Sequence, residues 1–214
     1  MIQGAAPAPV TSPRQNRVTP FSELIADPAR GLFMGNRGCL HDEAGHIRRP
    51  WRGTLWICCV TRFKNRRRAL MQPGRYTELF FLDEAVALAA GHRPCAECRR
   101  ADYNAFCAAW DLAGLPVAAR AADIDRSLHR ARLEPDTRQQ ARLVRPVASL
   151  PDGAFIADGR QAYMVLEDRL LAWQPQGYGP AKRRPNGNAE VLTPAPVLAV
   201  LTVGYRPQLH PTAV

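Results

Sequence analysis

Signatures of several common enzyme classes are missing from this 214-residue sequence. The chain has no G-x-S-x-G nucleophile motif, no Walker-type phosphate loop and no G-x-G-x-x-G dinucleotide motif. Short glycine-containing strings such as GYG and LPDG are typical of turns. The sequence therefore gives no support for a serine hydrolase, a P-loop protein or a dinucleotide-dependent enzyme. Whether the chain is an enzyme of another class stays open.

Long apolar runs are missing as well. The longest, PAPVLAVLTVG at residues 194–204, is too short and too broken by proline to span a bilayer. The N-terminal stretch MIQGAAPAPVTSPRQNR has no basic region followed by an apolar core, as a secretory signal would. We therefore expect a cytoplasmic protein without a membrane partner.

Lysine is almost absent from a strongly basic chain. Only Lys64 and Lys182 are lysine among 29 basic residues, and the net charge is +10. The planar fork of arginine suits phosphate, so this balance favours a nucleic acid partner, DNA rather than RNA. The alternative is that an arginine-rich composition reflects a GC-rich genome.

Two basic loops and one tryptophan are the candidate nucleic-acid contacts. The motif HIRRPWR places Trp51 among arginines, where it could stack a base or anchor the core. The loops could contact phosphate or be solvated turns. Their candidate residues are Arg62, Lys64, Arg66, Arg67 and Arg68 in the first loop, and Lys182, Arg183 and Arg184 in the second.

The periodicity along the chain predicts an α+β fold. TLWICCVTRF and TELFFL are typical of strands, and DEAVALAAG predicts a helix with Asp83 as N-cap and Gly91 as its stop. CAECRRADYNAFCAAWDLAG predicts a second helix that Gly114 ends, and ADIDRSLHRARL and PDTRQQARLV predict further helical pieces. In the C-terminal half, GAFIA, QAYMVL and RLLAWQ predict a β-meander, followed by a long loop in GYGPAKRRPNGN.

Cysteine is confined to the N-terminal half, and five of the six cysteines lie between residues 39 and 98. In a reducing cytosol this clustering favours metal or thiol chemistry over disulfides. Cys95 and Cys98 form a C-x-x-C motif where a turn enters a helix, a geometry that points both thiolates the same way. A redox pair would follow the first strand of a β-α-β unit, and chance burial of two cysteines is the third reading.

The stretch FFLDEAVALAAGHRPCAECR resembles the second half of the Ada-type metal-binding domain, the zinc domain of bacterial methylphosphotriester DNA repair proteins. His92 replaces the aromatic residue usual in that family, and the resemblance covers only about residues 80–99. The C-terminal half resembles no family. The matching residues are Phe80, Phe81, Ala87, Ala90, Gly91, Arg93, Pro94, Cys95, Cys98 and Arg99.

The resemblance implies a zinc cofactor with Cys95 and Cys98 as the second ligand pair. The family's first pair, Cys-x-x-x-Cys or His-x-x-x-Cys, has no counterpart here. Because adjacent side chains diverge on a strand, one cysteine of WICC is expected to face the metal and the other the core. We take Cys58 and Cys39 as the remaining ligands, with His41 or Cys59 as alternatives, and Cys58 or Cys59 as the candidate nucleophile.

These expectations divide the chain into four parts. Residues 1–18 are expected to be a disordered tail, 19–116 an Ada-like zinc domain, 117–143 a helical connector and 144–214 a β-rich unit. Three functions compete. The first is nucleic-acid binding with a structural zinc, the second is alkyl acceptance by a zinc thiolate, and the third is an enzyme whose site lies in the C-terminal half or between the halves.

Overall fold

Two six-stranded sheets organise the computed structural model, which describes residues 12–65, 69–116 and 120–213. The first sheet has the strand order β2-β1-β5-β3-β4-β6, and the second has the order β11-β10-β9-β8-β12-β7. The strands of the first sheet are β1 Gln15–Val18, β2 Leu24–Ala26, β3 Phe33–Asn36, β4 Ile57–Val60, β5 Leu79–Phe81 and β6 Arg93–Pro94. Those of the second are β7 Leu143–Pro146, β8 Phe155–Asp158, β9 Gln161–Leu166, β10 Arg169–Gln174, β11 Gly177–Arg183 and β12 Asn188–Val191.

Four α-helices accompany the sheets in the described part of the chain, so the fold is α+β, as predicted. They are α1 Glu84–Ala89, α2 Arg100–Leu112, α3 Ala121–Arg132 and α4 Ala195–Thr202. None of the described helices is long and apolar enough to cross a bilayer.

Helix α1 lies where the two sheets meet, and all six of its residues are buried. Its N-cap is Asp83, as predicted, because the carboxylate accepts a hydrogen bond of 3.0 Å from the backbone N–H of Val86. Its neighbours are β5 from the first sheet and β8 from the second. The core therefore runs through both sheets, and includes Val18, Phe33, Leu79, Phe81, Val86, Phe155, Met164 and Leu171.

A second buried cluster joins the other three helices. It includes Phe106 and Trp110 of α2, Leu128 of α3 and Leu201 of α4. Phe106 and Trp110 are four positions apart and therefore lie on one face of α2. The boundaries predicted near residues 116 and 143 stay a prediction, but the segments on either side of them pack on shared cores.

Three predicted segments differ in the structure. The last residues of the expected tail form β1, because Arg17 pairs with Ile25 of β2 and Phe80 of β5. The expected loop at 177–188 contains β11, which pairs with β10. The expected helical piece at 135–144 is instead a turn that leads into β7, which pairs with β12. For β1 and β7, pairing with a strand distant in sequence overrides local propensity, whereas β11 forms a hairpin with the preceding strand β10.

Candidate metal centre

The sulfur atoms of Cys59, Cys95 and Cys98 lie within 4.8 Å of one another, so these three residues could hold a metal ion. Parallel pairing of β4 with β6 brings them together, since Cys58 pairs with Pro94 and the N–H of Cys95 donates to the carbonyl of Cys58 at 2.9 Å. No other His, Cys, Asp or Glu of the described residues joins this triad. The residues outside the described ranges include none of these four types.

Cys58 lies on the opposite face of β4 from Cys59, as alternation along a strand requires. Its sulfur accepts a hydrogen bond of 3.3 Å from Nη1 of Arg99, and the side chain is fully buried in the core. Burial raises the pKa of the Cys58 thiol. The geometry therefore groups Cys59, which the sequence had kept as an alternative, with Cys95 and Cys98, and leaves the preferred candidate Cys58 outside this triad.

Cys39 and His41 lie outside the triad. The Cys39 sulfur is 3.8 Å from the carbonyl oxygen of His41. In the His41 ring, Nδ1 lies 2.6 Å from Thr77 Oγ1, and Nε2 lies 3.2 Å from the carbonyl oxygen of Gln72. The register explains this placement. Met34 pairs with Cys59, and β3 ends at Asn36, so the chain has already left the sheet before it reaches Cys39. The assignments of Cys39 and His41 as ligands find no support in this geometry.

The turn between β6 and α2 surrounds the Cys95 sulfur with donors. The backbone N–H of Glu97 lies 3.4 Å from this sulfur, and the N–H of Cys98 also donates to it. Hydrogen bonds from the Cys59 and Cys98 thiols, with those from the backbone, lower the pKa of Cys95. The turn is thus suited to hold a thiolate, the form of cysteine that binds metals.

Two buried arginines fix the ends of the C-x-x-C segment. Arg93, before Cys95, forms two hydrogen bonds of 2.8 Å with the carboxylate of Asp125 in α3. Arg99, after Cys98, pairs with Glu84 at 2.7 Å and with Asp102 at 2.8 Å. Bidentate and charge-assisted bonds of this kind are strong and directional. They hold the backbone on both sides of the sulfurs.

A cavity of about 380 Å³ opens beside the triad. All three cysteines line it, together with apolar and polar side chains of the first sheet and the following loop. Cys59 and Cys95 are largely buried, whereas Cys98 is partly exposed. A ligand that enters the cavity therefore meets all three cysteines of the triad. The other lining residues are Met34, Asn36, Ile57, Val60, Thr61, Phe63, Leu70, Tyr76, Glu78, Phe80 and Glu97.

The first basic loop adjoins this cavity. Arg62 and Lys64 are exposed, and Phe63 between them lines the cavity wall. The Lys64 ammonium lies 5.1 Å from the Phe63 ring centroid. The predicted contacts Arg66, Arg67 and Arg68 lie outside the described residues. The loop therefore places a basic residue on either side of a wall residue of the cavity.

The second basic loop lies on the edge strand β11 and continues one residue beyond it. Lys182 pairs with Asp158 at 3.0 Å, and Arg184 lies 3.6 Å from Asp152, so part of its charge is neutralised within the chain. Arg183 is exposed. The role of this loop in nucleic-acid binding stays a prediction.

The side chain of Trp51 is only partly exposed and packs against neighbouring side chains. The guanidinium of Arg138 stacks 4.5 Å from its ring centroid, and the ring of His129 meets it edge-on at 4.9 Å. Beside it, Trp56 is buried beneath Arg37 and Arg132. No local sequence pattern predicts this arginine–tryptophan cluster, because its members are separated by up to 101 positions.

The carboxylate partners of Arg93 and Arg99 were also missed, since Asp125 and Glu84 are 32 and 15 positions away from them. No family model, no curated protein and no solved structure matches this chain. The candidate metal centre therefore rests on the geometry of its three sulfurs.

Proposed function

We propose that the chain is a zinc-binding, nucleic-acid-associated protein in which zinc is mainly structural. The observation that carries this proposal is the cysteine triad. Zinc–sulfur bonds of about 2.3 Å in a tetrahedral site put neighbouring sulfurs about 3.8 Å apart, which fits a triad whose sulfurs lie within 4.8 Å. Zinc is the metal most often bound by clustered cysteines in tetrahedral sites.

A structural role follows from what the three cysteines connect. Cys59 belongs to β4, whereas Cys95 and Cys98 lie in the turn between β6 and α2. An ion held by all three joins a strand of the first sheet to the start of a helix, and such binding contributes directly to folding free energy. The resemblance to the Ada-type domain supports the same choice of metal.

Nucleic-acid association is supported by charge and by position. The chain carries a net charge of +10, and Arg62 and Lys64 flank Phe63, which lines the cavity of the triad. Contacts from arginine and lysine to phosphate release counterions, so binding of this kind weakens as salt rises. DNA is the partner that the resemblance favours.

Zinc content of two neighbouring variants tests the metal. We expect one zinc per chain in the wild type and in Cys58→Ser, whose side chain lies on the core face of β4. We expect zinc to be lost or greatly weakened in Cys59→Ser. Zinc retained by Cys59→Ser and lost from Cys58→Ser would contradict the site. Both proteins must show the same far-ultraviolet circular dichroism before zinc is compared.

DNA binding is tested on the zinc-loaded protein by fluorescence anisotropy at several salt concentrations. We expect the affinity to fall as salt rises, and the double variant Arg62→Ala, Lys64→Ala to reduce the slope of this dependence by about 1 to 2 units. Binding that is absent at low salt, or insensitive to salt, would contradict the association.

A second candidate is alkyl acceptance, which the cavity beside the sulfurs favours. Zinc bound at the triad would keep the thiolates ionised at neutral pH. The Cys59 thiolate would attack the methyl carbon of a DNA methylphosphotriester, forming a sulfur–carbon bond while the carbon–oxygen bond breaks. The phosphodiester leaves as an anion with the electron pair, so no other reactant is needed.

Two features weaken this candidate relative to the first. The fourth residue after Cys59 is Phe63, where the family's Cys-x-x-x-Cys pattern has a ligand. Three thiolates leave the zinc site with a charge of −1, compared with −2 for four, so its sulfurs are less nucleophilic.

Mass spectrometry after exposure to methylated DNA decides the matter: alkyl acceptance predicts one added methyl group on Cys59, and an unmodified mass would exclude it.

A further inference from the structure

A second cleft, of about 920 Å³, lies apart from the cysteine triad. Its walls come from the turn at 21–24, the loop at 47–51 and the segment at 133–142, and Arg37 and Trp56 also line it. None of the three cysteines of the metal centre belongs to its lining. Its volume is at the upper end of the roughly 300–1,000 Å³ typical of ligand pockets.

Positive charge dominates this cleft. Five arginines line it against two glutamates, Glu23 and Glu134. Two of the arginines are neutralised elsewhere, because Arg48 pairs with Asp42 and Arg142 pairs with Glu190. For the other three, the described part of the chain supplies no carboxylate partner. Those three are Arg37, Arg49 and Arg138.

Arg37 is the strongest sign of a built site. Its side chain is 1% exposed, yet its guanidinium bonds only to the hydroxyl of Ser22 at 2.6 Å and to the Ser22 carbonyl at 2.9 Å. Its Nε has no hydrogen-bond partner among the residues described. Burial lowers the pKa of Arg37 to about 9, so it still carries its charge at neutral pH. A buried cation without a counter-charge is costly, and an anionic ligand would compensate it.

Flat surfaces accompany the charge. Arg138 stacks on Trp51 at 4.5 Å, Arg142 lies 5.6 Å from the ring centroid of Phe21, and Arg37 lies 4.8 Å from that of Trp56. Guanidinium planes and aromatic rings are the groups on which proteins stack unpaired bases. Small oxyanions such as sulfate would use the charge but leave these surfaces without a partner.

We propose that this cleft binds a nucleotide unit, with its phosphate directed to the arginines and its base stacked against the Trp51–Arg138 wall. Two sources supply this chemistry, a free nucleotide and an unpaired segment of nucleic acid. The proposal extends the nucleic-acid association proposed above, on which its strand form rests, but it does not depend on the metal centre.

A purely structural role accounts for only part of the cleft. Arg37 fixes the turn that contains Ser22, a residue with a positive φ of 62°, and Arg132 is buried on the other side of Trp56 with carbonyl and imidazole partners. Arg132 does not line the cleft and has an internal role. Arg49 and Arg138, however, are exposed on the wall of the cleft, and neither has a carboxylate partner in the described part of the chain.

Titration of the intact, zinc-loaded protein tests the proposal through quenching of tryptophan fluorescence. The probes are adenosine monophosphate, adenosine, inorganic phosphate and a single-stranded thymidine oligonucleotide. The variants are Trp51→Leu and Arg138→Ala, which alter the partly exposed wall rather than the buried floor. The control is Arg145→Ala, which removes an exposed arginine of β7 that is not part of the lining.

We expect adenosine monophosphate or the oligonucleotide to bind, and Arg138→Ala and Trp51→Leu each to weaken that binding roughly tenfold, the order expected for a lost stacking contact. Binding to Trp51→Leu is measured by isothermal titration calorimetry, because that variant lacks one of the tryptophans whose fluorescence is followed in the other proteins. Arg145→Ala should bind as the wild type. Binding of the oligonucleotide alone identifies a strand site, and binding of the mononucleotide identifies a site for free nucleotides.

Phosphate that binds as tightly as adenosine monophosphate would overturn the proposal, as would wild-type affinity in both wall variants. Zinc content and duplex DNA binding, measured on the same samples, separate this result from the proposed function. A zinc-loaded protein that binds duplex DNA but neither nucleotide nor single strand refutes the cleft proposal alone. A protein that takes up no zinc but binds nucleotide refutes the metal proposal alone.

Discussion

Replacing His92 by phenylalanine should make the fold less sensitive to acid. The imidazole is fully buried between Trp56, at 5.2 Å between ring centroids, and Phe81, at 4.7 Å. Burial, and then the nearby charges of Arg37 and Arg132, hold the pKa of His92 well below 6.5. The folded chain thus keeps this histidine neutral at a pH where the unfolded chain protonates it.

The size of the effect follows from proton linkage. A depressed folded-state pKa gives stability that is present above the unfolded pKa of about 6.5 and is lost as pH falls below it. Each pH unit corresponds to about 1.4 kcal/mol, so His92 accounts for a loss of up to about 2 kcal/mol between pH 7.5 and pH 5. Phenylalanine has no proton to bind and fits an aromatic site.

Urea unfolding at pH 7.5 and at pH 5.0, followed by circular dichroism, measures this loss. The wild type should lose about 2 kcal/mol more than His92→Phe between the two conditions. His46→Phe is the control, because His46 is 71% exposed and its contact with Asp42 at 3.6 Å is screened by solvent, so its replacement should change the difference far less than that of His92 does. Protonation of the cysteines affects all three proteins alike. An equal loss in wild type and His92→Phe would refute the reasoning.

Two further predictions concern buried contacts, both measured by urea unfolding at pH 7.5. Asp125→Ala leaves Arg93 buried without its counter-charge and should cost about 3–5 kcal/mol, whereas Glu190→Ala, which breaks an exposed pair, should cost less than about 1 kcal/mol. Gly31→Ala would place a Cβ atom 1.8 Å from the carbonyl oxygen of Phe81 and should cost about 3 kcal/mol or more, whereas Gly179→Ala, which meets no backbone atom closer than 3.7 Å, should be nearly neutral. Equal costs within either pair would contradict the corresponding structural explanation.

Local signals were sufficient for the elements around the metal centre. Asp83 and Gly91 marked the two ends of α1, and in the structure Asp83 caps the helix and Gly91 has a φ of +84°. The β-branched and aromatic residues of β4 and β5 also identified those strands. These features depend on residues a few positions apart, which is the range over which capping and alternation act.

Features that depend on distant residues were beyond such patterns. Alternation in β4 showed that Cys58 and Cys59 face opposite ways, but it has two phases, and the pairing of β4 with β6 decides between them. The segment at 135–144 was predicted as helical, yet its last residues belong to β7, which pairs with the distant strand β12. The cleft around Arg37 and Trp51 likewise forms only when distant segments meet.

X-ray absorption at the zinc edge tests the account most directly, because it counts the sulfur ligands. The zinc proposal, applied to the cysteine triad, predicts three sulfur atoms at about 2.3 Å and one nitrogen or oxygen at about 2.0–2.1 Å from zinc in the wild type. Cys58→Ser should give the same spectrum. Four sulfur ligands, or a spectrum changed by Cys58→Ser and unchanged by Cys59→Ser, would contradict a metal centre built from Cys59, Cys95 and Cys98.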